Sequence, residues 1–174
     1  MGKKMSMENV VVFGMVKGLH DLATAIWVGG LIHMSATILP SFKDTGDEVV
    51  KRQILMTLQS RLSLLVYASI AVLVITGVLE SWHSKSFLGF FSFENTYSSL
   101  LSLKHVLVVA MILIAAVRQI LLRKMKKAGK KIQMDEKQLK KIKAKEGVLF
   151  SLVLINATMG VIAIFLSGYI AAFS

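Results

Sequence analysis

The chain has 174 residues, of which 55 % are apolar and 18 % charged. That balance disfavours a soluble enzyme, a nucleic-acid-binding module and a disordered chain together. There is no cysteine, which excludes disulfides, zinc–thiolate centres, iron–sulfur clusters and c-type haem attachment. Any metal must then be held by His, Met, Asp, Glu, Asn or backbone atoms. The net charge is +11, but residues 123–146 hold 11 Lys or Arg against 3 acids and so carry +8 of it. One basic segment on an apolar chain is the pattern of an integral membrane protein, and no nucleic acid is expected as a partner.

Four apolar stretches follow one another along the chain, at about residues 10–39, 62–81, 98–122 and 148–173. Each reaches the roughly 20 residues that a spanning helix needs, and each must be helical because lipid leaves no other partner for its backbone groups. The first carries Lys17, His20, Asp21 and His33. Lys17 and Asp21 interrupt its apolar run, which argues against a cleaved signal peptide. Residues 40–61 begin polar and become amphipathic, with Val50, Ile54, Leu58 and Leu62 at four-residue steps. They are expected either to lie at the interface or to extend the second helix. Residues 83–96 hold Phe87, Phe90, Phe91 and Phe93, which suits a loop folded into the headgroup region. The third span contains Lys104, His105 and Arg118, and the fourth contains no charge. Between them lies the basic hairpin, with Asp135 as a helix cap.

The expected fold is all-α: one membrane domain over residues 1–174, an integral four-helix bundle in a lipid bilayer. Fifteen Lys and Arg lie in the connections between helices 1 and 2 and between helices 3 and 4, against five on the other side. The positive side faces the cytoplasm. This places both termini outside, makes the loop between helices 3 and 4 basic and cytoplasmic, and predicts a multi-pass protein of the cell membrane.

Ionisable groups inside a bilayer are costly and point to function. His20 and His105 lie at matched depth in the outer halves of helices 1 and 3. His33 is about 220° around the helix from His20 and cannot share a centre with it. The face of His20 carries Thr24, Trp27, Leu31 and Met34; that of His105 carries Leu101, Val109, Ile112, Ala116 and Gln119. In an up-down bundle helices 1 and 3 are diagonal, roughly 11–14 Å apart. That gap suits a b-type haem with each histidine as an axial ligand better than a bare ion. Lys17 and Lys104 would hold its propionates and Trp27 would stand on its His20 side. Bare copper would rather use His83, or Met15, near the rim. The plainer reading is that each histidine bonds a neighbouring helix, with His33 a helix-contact residue and His83 a loop residue. Lys17, Lys104 and Arg118 then snorkel to the interface. Asn156 and Ser151 are candidates for bonds across the bundle, and Gly29, Gly30, Gly160 and Gly168 for close helix approach. Most buried methionines are expected to fill the core, with Met125 in the basic loop.

Two sets of residues carry a family resemblance. Gly18-Leu19-His20 followed by Ile26-Trp27-Val28-Gly29-Gly30-Leu31 is one. Ser60-Arg61-Leu62 leading to Ile75-Thr76-Gly77, then Thr96-Tyr97 through Leu100-Leu101 to Lys104, is the other. The chain resembles the CopD family of copper-resistance membrane proteins over about residues 16–123. Ser98 stands where that pattern has glycine. The resemblance implies copper uptake or handling. A weaker similarity, through the first-helix His and the His/Lys element of helix 3, is to the HemJ-type haem-associated membrane proteins. Their oxidase activity is not carried over, because the order of His and Lys differs. No reaction is assigned.

The expectation is therefore a CopD-like membrane protein with an intramembrane metal centre at His20 and His105. It would act in copper handling or membrane electron transfer, with a copper-binding or redox membrane protein as partner. The alternatives are a b-type cytochrome subunit with no copper role and a cofactor-free structural subunit.

Overall fold

The computed structural model describes residues 7–41, 48–83, 96–128 and 136–172. It contains four long helices: α1 (Met7–His33), α2 (Glu48–His83), α3 (Thr96–Ala128) and α4 (Glu136–Ala171). Four stretches are long and apolar enough to cross a bilayer: Val10–Ser41, which runs past the end of α1, Val50–Glu80 in α2, Ser98–Met125 in α3 and Ala144–Ala171 in α4. The helices overrun the apolar stretches at the basic end. α2 starts at Glu48, so the amphipathic segment extends the second helix, and α4 starts at Glu136 within the basic segment. Asp135 and the aromatic loop with Phe87, Phe90, Phe91 and Phe93 lie outside the described residues.

α1 does not stop at His33. It widens into a π-helical turn at Met34–Ile38 and then tightens over Leu39–Ser41. The Leu39 N–H bonds to the Met34 carbonyl five residues back. Pro40 has no N–H to offer the preceding turn, and the widened turn falls just ahead of it.

α1 packs on α2 and α3 on α4, while α1–α4 and α2–α3 contacts close the ring. α1 and α3 are therefore diagonal, as are α2 and α4. The core comprises Trp27, Val28, Leu31 and Met34 of α1 and its π turn, Val66 of α2, Met111 and Ala115 of α3, and Val153 and Ala157 of α4. The outward side chains are also apolar, among them Leu64, Ile75, Leu113 and Phe165. A bilayer makes that arrangement stable, since lipid is as apolar as the core.

With little hydrophobic force between helices in lipid, close packing holds the bundle together. Two of the four expected glycines serve it. A Cβ on Gly30 would meet Leu62 Cδ1 at 2.8 Å, and one on Gly160 would meet Val28 Cγ2 at 2.8 Å and Met111 Cε at 3.2 Å. Nothing lies within 4 Å of a Cβ on Gly29 or Gly168. Gly160→Ala is expected to cost about 1–3 kcal/mol by overpacking, whereas Gly168→Ala leaves stability unchanged or raises it, since alanine favours the helix. Thermal unfolding of the two variants in detergent distinguishes them; equal midpoints would refute the close approach at Gly160.

Polar ties between helices run to backbone carbonyls at two places among the described residues. Asn156 Nδ2 donates to the Met111 carbonyl at 3.2 Å, joining α4 to α3, as expected. Tyr67 Oη donates to the Ala115 carbonyl at 3.3 Å, joining α2 to α3. Ser151 instead bonds the Gly147 carbonyl within its own helix.

Candidate metal centre

The site is built around His20, whose side chain is half-buried on the face of α1 that continues through Thr24 to Trp27, Leu31 and Met34. Trp27, Leu31 and Met34 are all buried, so that face points inward as expected. The Thr24 hydroxyl donates back to the His20 carbonyl at 3.0 Å. The His20 ring meets α2: Nδ1 is 2.9 Å from Thr76 Oγ1, and Cε1 lies in ordinary contact distance of a Cβ on Gly77, 3.7 Å.

The direction of the His20–Thr76 bond follows from the bonds of Thr76. Its hydroxyl has one proton, and that proton goes to the Val72 carbonyl at 2.7 Å. Toward His20 the oxygen is then free to accept, which matches the tautomer that carries its hydrogen on Nδ1. In a neutral imidazole the other nitrogen, Nε2, is then the bare one. A ring oriented through Nδ1–H, with Nε2 left as the donor atom, is the arrangement that metal-ligating histidines use.

Charged groups gather around this ring. One turn beyond Thr76, Glu80 has a buried Oε1 with no hydrogen-bond partner among the described residues. Lys104 of α3 lies within electrostatic range of His20, Glu80 and Asp21. Lys17 also acts on Glu80, though its own side chain is exposed. His105 follows Lys104 on α3, half-buried, and interacts with the Leu101 carbonyl one turn back. His20 and His105 thus stand on diagonal helices with Lys104 interacting with both. The His83 side chain lies outside the described residues. Trp27 sits deeper, 2 % exposed inside the core, and its indole Nε1 has no acceptor among the described residues.

Some expectations are corrected here. α3 buries Ser102, Met111, Ala115 and Arg118, while Val109 faces outward at 51 % exposure. The inward face of α3 is thus rotated by about one residue from the one read through Val109, Ile112 and Ala116. His33 is exposed rather than packed on a neighbouring helix. Arg118 does not snorkel: it is 3 % exposed, and its Nη2 donates to Ser63 Oγ at 2.8 Å. Met125 lies in α3 and is 2 % exposed. Thr76 was missed as a partner of His20. Its sequence signals are its place in Ile75-Thr76-Gly77 and the four-residue step to Glu80, which puts both on one face of α2.

Replacing Thr76 with valine keeps the shape and removes the acceptor for Nδ1–H. The expected loss is about 1–3 kcal/mol, the cost of a buried donor left unmade, and Thr76→Ser is expected to restore most of it. Paired melting curves in detergent test this; a serine variant no better than valine would exclude the hydrogen bond as the cause.

Among the described residues no three His, Asp or Glu side chains come close enough to form a metal cage. What the site offers is narrower: one oriented imidazole, a carboxylate with a buried oxygen one turn of α2 beyond the imidazole's partner Thr76, and a lysine within electrostatic range of both. Four membrane-spanning helices enclosing such a polar cluster define a multi-pass membrane protein with a candidate metal-handling end. The family model described as CopD, Copper resistance protein D, matches residues 56–166. The chain belongs to the CopD family. The match includes Thr76, Glu80, Lys104 and His105 and leaves out His20 and Trp27. Neither the curated proteins nor the solved structures compared with the chain give a match.

Proposed function

We propose that this CopD-family protein handles copper at the His20 end of the bundle. The observation that carries the reading is the His20 ring, held at Nδ1 by Thr76 and leaving Nε2 bare, one turn of α2 from the buried Oε1 of Glu80. Imidazole and carboxylate together accept a copper ion. Lys104 balances Glu80 while the site is empty of metal, so the carboxylate does not stand alone in lipid. The ion is the protein's cargo in this reading, and His20 is its principal ligand.

A b-type haem is the second reading, favoured by the diagonal placement of α1 and α3 together with the bare Nε2 of His20. The donor chemistry fits. His20 and His105 would hold the iron, and Lys17, Lys104 and Trp27 would serve the rest of the group's binding. When bound, the haem supplies one-electron chemistry, and a redox or copper-binding membrane protein is then the expected partner.

One preparation tests both. The detergent-purified protein, expressed with ample haem, is examined by absorption before and after dithionite and titrated with copper(I) against a competing chelator. Copper binding that falls at least tenfold in His20→Ala supports the first reading. A reduced α-band lost in both His20→Ala and His105→Ala establishes the second. Neither signal would leave a structural subunit without a cofactor.

A further inference from the structure

At the opposite, basic end of the bundle a cleft of about 60 Å³ is lined from all four helical segments. Leu39 follows α1; Met56 and Gln59 come from α2, Met125 from α3, and Glu146 from α4. Met56 packs against the buried cluster of Leu122, Met125 and Leu149, and both methionines line the same cleft. Gln59 is 6 % exposed, and its Oε1 has no hydrogen-bond partner among the described residues. The mouth is crossed by the Arg52–Glu146 ion pair, Nε to Oε1 at 2.7 Å.

We infer that this cleft is a second copper(I) site, with Met56 and Met125 as thioether ligands and the Gln59 amide oxygen beside them.

The chemistry of the lining selects the ion. Thioethers are soft, neutral ligands that suit copper(I) and not calcium, magnesium or zinc. Arg52 and Glu146 cancel each other's charge at the mouth, so the donors inside are uncharged and favour a monovalent ion over a divalent one. The space exceeds the 10–15 Å³ or so that a water molecule needs, which is enough for one ion. The unmatched Gln59 oxygen gives a physical reason for something positive to sit there, because a buried acceptor left unpaired costs about 1–3 kcal/mol. Neither methionine is exposed enough to act as a surface trap. This inference rests on the copper reading and extends it: the bundle then offers a nitrogen and carboxylate site at one end and a sulfur site at the other.

Copper(I) itself is the probe, titrated anaerobically against a chromogenic chelator into the full-length protein in detergent. The wild type is expected to take two equivalents. His20→Ala should keep one. Met56→Leu with Met125→Leu should lose the other, its affinity falling at least tenfold, while near-equal side-chain volume preserves the fold. X-ray absorption of copper-loaded His20→Ala gives a check that needs no core variant. In a chain without cysteine, sulfur scattering can come only from methionine. Sulfur around the retained ion supports the site; oxygen and nitrogen alone would overturn it. A double leucine variant that binds like the wild type also overturns it, and does so while leaving the His20 site intact. Failure of the wild type to bind any copper removes both readings together.

Discussion

Trp27→Ala is expected to lower stability by about 3 kcal/mol, at the low end of the 3–5 kcal/mol typical of such truncations. The size follows from where the cost arises. Trp27 is 2 % exposed and packed in the central cluster with Leu31, Met111 and Ala115. In water-soluble proteins part of the penalty is lost transfer from water. In lipid that part shrinks, because the alternative environment is also apolar. The cavity remains, and with it the lost dispersion contacts. Trp27→Phe is expected to cost under about 1.5 kcal/mol, since it keeps an aromatic ring. It also removes an indole N–H that has no acceptor among the described residues. Reversible unfolding in mixed micelles measures both variants. A phenylalanine variant as unstable as the alanine one would show that the indole nitrogen has a partner after all.

The second large effect concerns Arg118 and runs against the usual intuition about charge. Arg118 and Ser63 are each 3 % exposed, and the Arg118 guanidinium bonds Ser63 Oγ while its Nε has no partner among the described residues. Ser63 in turn donates to the Gln59 carbonyl at 2.8 Å. Ser63→Ala strips a bond to a buried cation and is expected to cost about 1.5–3 kcal/mol. Arg118→Met removes the cation and fills similar space. Replacing a buried charge by a matched apolar group is often neutral or stabilising, so this variant is expected to melt at or above the wild type. Combining the two should recover most of the serine loss, a coupling that a double-mutant cycle reads directly. If Arg118→Met is instead the more damaging change, Arg118 holds a counter-charge outside the described residues.

Much of this architecture was legible in the chain. The four spans, the inward face of α1 from His20 to Met34, and the bond from Asn156 across the bundle all follow from local composition and from the helical repeat. On α1 the reading succeeds because His20 sets the phase of the repeat, and Thr24, Trp27, Leu31 and Met34 follow it at steps of three or four residues. On α3 it fails by one residue, and the reason is the solvent. Lipid accepts Val109 and Leu113 as readily as the core accepts Met111 and Ala115, so apolar periodicity carries little information about which side faces inward. The same flatness hid Arg118, whose charge suggested an interface and whose place is between α2 and α3.

Sequence alone therefore determined that this is a four-span membrane protein, because spanning is a property of each segment taken singly: length, apolarity and internal backbone bonding. It also supplied the candidate donors, since only a few polar side chains occur inside those spans. Tertiary structure decided which donors meet. The rotation and depth of each helix are fixed by contacts in trans, such as Gly160 against Val28 and Gly30 against Leu62. Those contacts set Thr76 opposite His20, bring Lys104 into range of Glu80, and place Met56 and Met125 on one cleft. No local pattern encodes them, because each is a relation between surfaces that come together only when the helices pack.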